Sequence, residues 1–127
     1  MNKSVIYTGQ APAPIGPYSQ AIRTGNLLFM SGQLPIDPAS GEFAGQSVTE
    51  QTAQCLKNLK TVLEAGGSGL DKVLKTLVFL TDMADFTTMN EVYSTFFPGD
   101  FPARSCVAVK DLPRGAKVEI EAVAFCE

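Results

Sequence analysis

A chain of 127 residues can bury roughly two-thirds of the surface that its unfolded form exposes, so we expect one domain over residues 1–127 that folds without metal or disulfide. Apolar residues make up 45% of the chain and charged residues 18%, which leaves little charge to cover a monomer and favours apolar burial between subunits. The net charge of −3, with ten scattered Lys and Arg residues, argues against nucleic acid as a partner.

The residue inventory restricts the chemistry further. The three cysteines, Cys55, Cys106 and Cys126, lack the spacing of a metal-binding or redox pair, and the chain has no histidine. These facts exclude the usual zinc sites and nucleophiles activated by histidine, and no metal site is predicted. Any reaction must use carboxylates, Tyr, Arg, Lys, a thiol, the backbone or water. There is no secretory leader pattern and no apolar run long enough to span a membrane, so a cytoplasmic protein without membrane contact is expected.

The first third of the chain predicts strands joined by one irregular loop. Residues 3–7 form a short edge strand, and the proline- and glycine-rich stretch 9–18 is an ordered loop that ends at Tyr18. Tyr18 either covers the core with its ring or forms the wall of a pocket. Gly25-Asn26 closes a hairpin between 21–24 and 27–30. Ser31-Gly32 is then either a strand exit or a place where backbone N–H groups approach a ligand.

Two helices and a buried strand follow. Ser47 to Glu50 is a capping box, and the helix behind it ends at Gly66-Gly67. Its apolar stripe comprises Val48, Thr52, Cys55, Leu56, Leu59, Val62 and Leu63. Residues 73–80 are apolar on both faces, which predicts a central strand covered on both sides. A second helix starts at Asp82, with a core stripe of Phe86, Met89, Tyr93 and Phe96 and with Asn90 at its edge.

The last third predicts two strands that carry charge. The strand at 101–109 places Arg104 and Cys106 on one face. A poorly solvated arginine needs an anionic partner, so Arg104 is either a surface residue, paired with an acid of its own chain, or a ligand-binding residue. The strand at 117–125 places Glu119 and Glu121 together on one face, which is solvated unless another strand or a subunit covers it.

The element order predicts an α+β fold in which two helices cover one face of a five- or six-stranded sheet. The second face is partly apolar and needs cover. A cyclic homo-oligomer that packs sheet faces together would supply the cover and would create pockets between subunits.

Several short motifs occur in order along nearly the whole chain: 15–20 (IGPYSQ), 31–33 (SGQ), the pairs 51–52 and 58–59, 85–86 with 89–93 (MNEVY), 102–105 (PARS) and 118–122 (VEIEA). Each motif alone is weak, but together the sequence resembles the RidA (YjgF) family of reactive-intermediate deaminases.

The resemblance implies a chorismate-mutase-like (YjgF-like) α+β subunit, with a mixed sheet and two helices on one face, and a homotrimer with sites at the subunit interfaces. It implies an enzyme, without a cofactor, that hydrolyses 2-iminobutanoate, 2-iminopropanoate and related enamines such as 2-aminoacrylate to 2-keto acids and ammonia. The resemblance also implies that removal of these intermediates protects enzymes that use pyridoxal phosphate.

The resemblance also assigns residues. Arg104 matches the arginine that binds the substrate carboxylate, and Glu119 matches the acid that holds the attacking water. Pocket positions are matched by Tyr18, Ser31, Gly32, Asn90 and Cys106. This chemistry also fits the residue types, since a forked guanidinium binds a carboxylate and a glutamate can move the protons of a hydrolysis. For Cys106 we expect a role through its backbone and size, but nearby Arg104 would lower the pKa of the thiol and leave a role in oxidation open.

Three alternatives stay open. The first is a non-catalytic regulatory protein that binds 2-keto acids in the same cleft. The second is an endoribonuclease or translation inhibitor, an activity also attributed to the family. The net negative charge of the chain and its lack of histidine argue against this alternative. The third is a chorismate-mutase-like rearrangement, which rests on fold analogy alone.

Overall fold

The computed structural model describes residues 2–127, which form a mixed six-stranded sheet with two α-helices. The strands are β1 (Ser4–Ile6), β2 (Ala21–Thr24), β3 (Leu27–Met30), β4 (Val73–Leu80), β5 (Ala103–Ala108) and β6 (Val118–Phe125), and the helices are α1 (Val48–Ala65) and α2 (Phe86–Tyr93). Their order across the sheet is β1-β2-β3-β6-β4-β5. The predicted α+β class is therefore confirmed, and so are the edge strand β1 and the β2–β3 hairpin, in which Gly25 has a φ of 57°.

The strand register decides where the charged residues lie. β4 separates β5 from β6, pairing parallel with β5 and antiparallel with β6. Thr76 of β4 is opposite Arg104, and Phe79 is opposite Glu119. Because side chains of paired residues share a face and neighbours along a strand alternate, Arg104 and Glu119 project from opposite faces of the sheet.

Helix α1 begins and ends as the sequence predicts. The Ser47 side chain accepts a hydrogen bond from the Glu50 backbone N–H, and the Glu50 carboxylate accepts one from the Ser47 N–H, which together form the capping box. Gly45 makes room for this arrangement, since a Cβ there would overlap the Glu50 carboxylate. The left-handed residue after the helix is Gly67, with a φ of 84°. All seven residues of the predicted apolar stripe are buried.

Helix α2 is shorter than predicted. Asp82 does not start it but caps a 3-10 turn at Met83–Asp85, where its Oδ1 accepts from the Ala84 N–H at 2.9 Å. Within the predicted stripe, Met89 and Tyr93 are buried in the core, Phe96 is half-buried and Phe86 is more than a third exposed. The stripe is therefore core at its centre only, and Phe86 is available for another role.

Both helices lie on the same face of the sheet. That face carries fully buried side chains from three neighbouring strands, Leu28, Val78 and Ile120, which pack against α1 and α2. Within residues 2–127 no helix covers the other face, and its Phe29 and Val107 are 46% and 43% exposed. The prediction that β4 is covered on both sides is therefore wrong for one chain, whereas the predicted partly apolar second face is present. No helix within residues 2–127 has the length and hydropathy to cross a membrane.

Candidate functional site

The predicted site residues fall into two groups on opposite faces of the sheet. We call the first the arginine half-site, an open pocket of about 300 Å³ at the β5 edge, lined by Asn90, Tyr93, Ser94, Phe101, Pro102 and Arg104. The second is the glutamate half-site, an open pocket of about 290 Å³ lined by Ile15, Tyr18, Ser31, Gly32, Leu34, Pro113, Glu119 and Glu121. One chain thus does not bring Arg104 and Glu119 into a common pocket.

Arg104 is half-buried in the arginine half-site. Within residues 2–127 no carboxylate lies within 4.0 Å of its guanidinium, so the alternative of a pair with an acid of its own chain is not observed. Its Nη1 donates to Oδ1 of Asn90 at 2.8 Å and lies 3.9 Å from Sδ of Met89. Because these contacts use Nη1 alone, Nε and Nη2 remain for a bidentate carboxylate.

Asn90 lines the arginine half-site, whereas Cys106, also predicted at a pocket position, is not among the residues that line either half-site. The Asn90 amide oxygen faces the guanidinium, so its observed contact is with Arg104. Cys106 lies on the same face as Arg104 and packs against the core. Burial raises the pKa of the Cys106 thiol, and this outweighs the opposing effect of Arg104. Arg104 does lower the thiol pKa as predicted, but the net shift is upward, so the residue is less disposed to form a thiolate and the expected ease of oxidation is not supported.

Glu119 lies against the backbone of Gly32 in the glutamate half-site. A Cβ on Gly32 would come within 2.8 Å of Cδ of Glu119, so only glycine lets the carboxylate approach this closely. Burial raises the pKa of Glu119, and the like charge of Glu121 on the same strand face raises it further. No cation in the described part of the chain is within ion-pairing distance of either carboxylate.

The other predicted residues of this half-site serve partly to shape it. Ser31 donates its hydroxyl to the Ser19 carbonyl at 2.6 Å, which joins the segment before β2 to the segment after β3 beside Gly32. The Tyr18 hydroxyl accepts from the Ile15 N–H at 3.2 Å, and its ring is 45% exposed at the pocket wall. The structure therefore brings Tyr18, Ser31, Gly32 and Glu119 together.

Two neighbours of the predicted residues were not recognised as part of a pocket. Alternation along β6 predicts that Glu121 shares the face of Glu119, but it does not show that both carboxylates line one pocket. The sequence predicts Tyr93 as part of the core stripe, and in the structure its ring also lines the arginine half-site. Its spacing in α2 carries no signal for this second role, which depends on β5 packing alongside. Within residues 2–127, no group of three or more Cys, Asp or Glu side chains is placed to hold a metal ion.

Comparisons with known proteins show related sequences and related folds. A family model described as Endoribonuclease L-PSP matches residues 8–126. The RutC family protein y4sK of Sinorhizobium fredii is 58% identical over 118 residues, covering 93% of this chain and 94% of that protein. The 2-iminobutanoate/2-iminopropanoate deaminase of Mus musculus is 49% identical over 122 residues, covering 96% and 90%. The crystal structure of E. coli TdcF with bound serine has a TM-score of 0.93 and 41% identity, covering 98% of this chain and 99% of that one.

Proposed function

The chain belongs to the RidA (YjgF) family, and from that premise we propose that it is an imine deaminase, which hydrolyses 2-iminobutanoate, 2-iminopropanoate and related enamine-derived imines to 2-keto acids and ammonia. The observation that carries this proposal is the Arg104 guanidinium, a half-buried cation that no acid of the described chain neutralises. A half-buried charge of this kind is stabilised by an anionic ligand, and a 2-imino acid offers one carboxylate.

The reaction needs an activated water and a route for protons. Water attacks C2 of the protonated imine, the C=N electron pair moves to nitrogen, and a tetrahedral carbinolamine forms. Glu119 takes one proton from the attacking water and passes it to the nitrogen. Ammonia then leaves as the C=O bond forms, and the hydroxyl proton of the carbinolamine goes to the freed Glu119 carboxylate, which passes it on to the departing ammonia. A carboxylate with a raised pKa suits both transfers, because it holds a proton more readily at neutral pH than an ordinary glutamate. No step requires a metal or a covalent intermediate.

We propose further that the working site forms between subunits of a homotrimer, with Arg104 of one chain and Glu119 of its neighbour in one cleft. The separation of these residues on opposite faces of one sheet supports this, since a single chain cannot present both to one small substrate. The exposed Phe29 and Val107 on the uncovered face support association through that face. The physiological role proposed is removal of 2-aminoacrylate and similar products, which protects pyridoxal-phosphate enzymes.

A second candidate is a regulatory protein that binds 2-keto acids or related small molecules without turnover. The crystal structure of E. coli TdcF with bound serine favours it, because that related protein holds a small amino acid. This alternative uses the same Arg104 contact, so only a measurement of turnover separates the two. Endoribonuclease activity, which the description of the family model suggests, has less support because the chain is acidic and has no histidine.

The test follows 2-iminopropanoate generated in situ with semicarbazide as the trap. Wild type should divert the imine to pyruvate before the trap captures it, and Arg104→Ala should not. Arg104→Lys keeps the charge but loses the fork and should recover only part of the activity. Lys57→Ala, which removes an exposed cation from α1, is the matched control and should behave as wild type.

Two results would redirect the proposal. Wild type that binds 2-oxobutanoate but leaves the trapping rate unchanged would favour the regulatory protein. Cleavage of a defined RNA that persists through further purification and is lost in Arg104→Ala would favour the endoribonuclease.

A further inference from the structure

The contacts that hold Arg104 all come from uncharged groups of α2. Its Cζ lies 4.9 Å from the ring centroid of Tyr93 and 5.5 Å from that of Phe86. Asn90 and Met89 supply the two polar contacts of Nη1. An acidic neighbour would fix the guanidinium equally well but would neutralise it. Aromatic rings attract a cation without occupying its N–H donors, so the charge and the fork are both retained.

Of the two rings beside Arg104, the ring of Tyr93 is held more firmly than that of Phe86. Its hydroxyl lies 2.6 Å from Oγ1 of Thr76, which is completely buried on β4. Its ring also packs against the ring of Phe97 at 4.7 Å between centroids. Phe86, the other ring beside Arg104, is more than a third exposed and cannot restrain the guanidinium to the same degree. Burial raises the pKa of the Tyr93 phenol, so the group stays neutral at physiological pH.

We propose that Tyr93 is a positioning residue for Arg104: its ring, anchored to Thr76, holds the guanidinium at the orientation in which the unused donors receive the substrate carboxylate. The inference rests on the proposed function. It adds that the sheet core, through Thr76 and Tyr93, sets the geometry of the anion-binding group. Tyr93 acts on the substrate only through Arg104 and need not touch it.

The expected effect is on binding more than on turnover. A cation–π contact of about 1 kcal/mol corresponds to roughly a fivefold change in affinity. Tyr93→Leu should therefore raise KM for the imine and Kd for 2-oxobutanoate by about three- to thirtyfold, with a smaller change in kcat. Tyr93→Phe keeps the ring and should change KM by less than about threefold. Thr76→Val, which removes the anchor but not the ring, should fall between them.

Two designs separate positioning from a general loss of structure. Fluorinated phenylalanines in place of Tyr93 keep the shape of the ring while weakening its attraction for a cation, so KM should rise with the number of fluorine atoms even if Tyr93→Leu fails to fold. In an Arg104→Ala background, the same series should leave the residual KM unchanged, because Tyr93 acts through the guanidinium. Tyr7→Leu, at a tyrosine 66% exposed, is the control for loss of an aromatic side chain.

The outcomes distinguish this inference from the proposed function. Wild-type turnover with a KM that does not respond to fluorination overturns the positioning role and leaves the deaminase intact. A KM that rises equally in the Arg104→Ala background also overturns it, because the effect is then structural. Binding of 2-oxobutanoate that weakens with fluorination in a protein without turnover supports the inference and contradicts the deaminase. Wild type that neither binds nor reacts overturns both.

Discussion

In the arginine half-site a charged side chain is held by neutral groups of one helix, whereas in the glutamate half-site a carboxylate lies against backbone, loops and a second carboxylate. Arg104 contacts the side chains of α2 and loses none of its charge to them. Glu119 lies over Gly32 beside Glu121, surroundings that favour its neutral form. The same sheet therefore stabilises a cation on one face and penalises an anion on the other.

The difference corresponds to two tasks. The guanidinium does not lose its proton in proteins, so its surroundings can affect only its orientation and accessibility. A carboxylate titrates within reach of physiological pH, so burial and like charge can adjust its affinity for a proton. We therefore expect the arginine half-site to determine substrate binding and the glutamate half-site to determine the rate of the chemical step.

Glu119→Gln gives the largest expected effect and tests this division directly. Loss of the group that transfers protons should lower kcat by about 10²- to 10⁴-fold, while Kd for 2-oxobutanoate stays within a few-fold of wild type. Steady-state kinetics and calorimetry measure the two quantities. Glu64→Gln, at an exposed position on α1, is the control. A variant whose binding falls as steeply as its turnover would remove the distinction between the half-sites.

Mixed oligomers test whether the two half-sites work together. Arg104→Ala and Glu119→Gln chains, each nearly inactive, should regain activity when unfolded together and refolded. In a random one-to-one mixture about one interface in four pairs an intact Arg104 with an intact Glu119, so roughly a quarter of wild-type activity should return. Mixing the folded proteins without exchange is the control. No recovery in oligomers shown to contain both chains would mean that each site belongs to one subunit.

Gly32→Ala should act on the glutamate half-site alone. The added Cβ would lie 2.8 Å from Cδ of Glu119, so the carboxylate must move away. Displacement of the Glu119 carboxylate from its catalytic position should lower kcat about tenfold, with little change in ligand affinity. Gly9→Ala adds the same methyl group where no atom lies within 4 Å and is the matched control. An unchanged kcat would show that the close approach to Gly32 has no part in catalysis.

Glu121→Gln should have the smallest effect, visible only in the pH profile. Glu119 must be ionised to accept a proton from water, so kcat/KM should fall as the pH falls through its raised pKa. Removal of the neighbouring negative charge lowers that pKa, so the acid limb should move to lower pH while activity on the plateau is retained. Burial still acts in the variant, so the shift is partial. A limb that stays in place would show that Glu121 does not influence Glu119.

Most secondary structure followed from local patterns in the sequence. The capping box at Ser47 and the alternation of β6 depend on neighbours within a few residues, and both were predicted correctly. The start of α2 was wrong because Asp82 caps a 3-10 turn first, and a capping residue does not specify which kind of helix follows.

The arrangement of the site could be predicted from the sequence only in part. Alternation places Arg104 and Glu119 on faces of their own strands, but only the position of β4 between β5 and β6 relates those faces to each other. The net direction of the Cys106 pKa shift could not be predicted for a related reason, because the sequence shows a nearby arginine but not how far the thiol is buried. Strand order and burial arise from packing of the whole chain, and short motifs do not encode them.

The position of Arg104 beside α2 also has a consequence for the order of folding. Its contacts with Met89 and Asn90, and that of Thr76 with Tyr93, span only 14 to 17 residues, all within the β4–α2–β5 segment. The glutamate half-site instead joins Tyr18 and Gly32 to Glu119, across most of the chain. Closing a short loop loses less conformational entropy than closing a long one. We therefore expect pulsed hydrogen exchange during refolding to protect amides around Tyr93 before those around Gly32, so that the anion-binding pocket takes shape before the catalytic one.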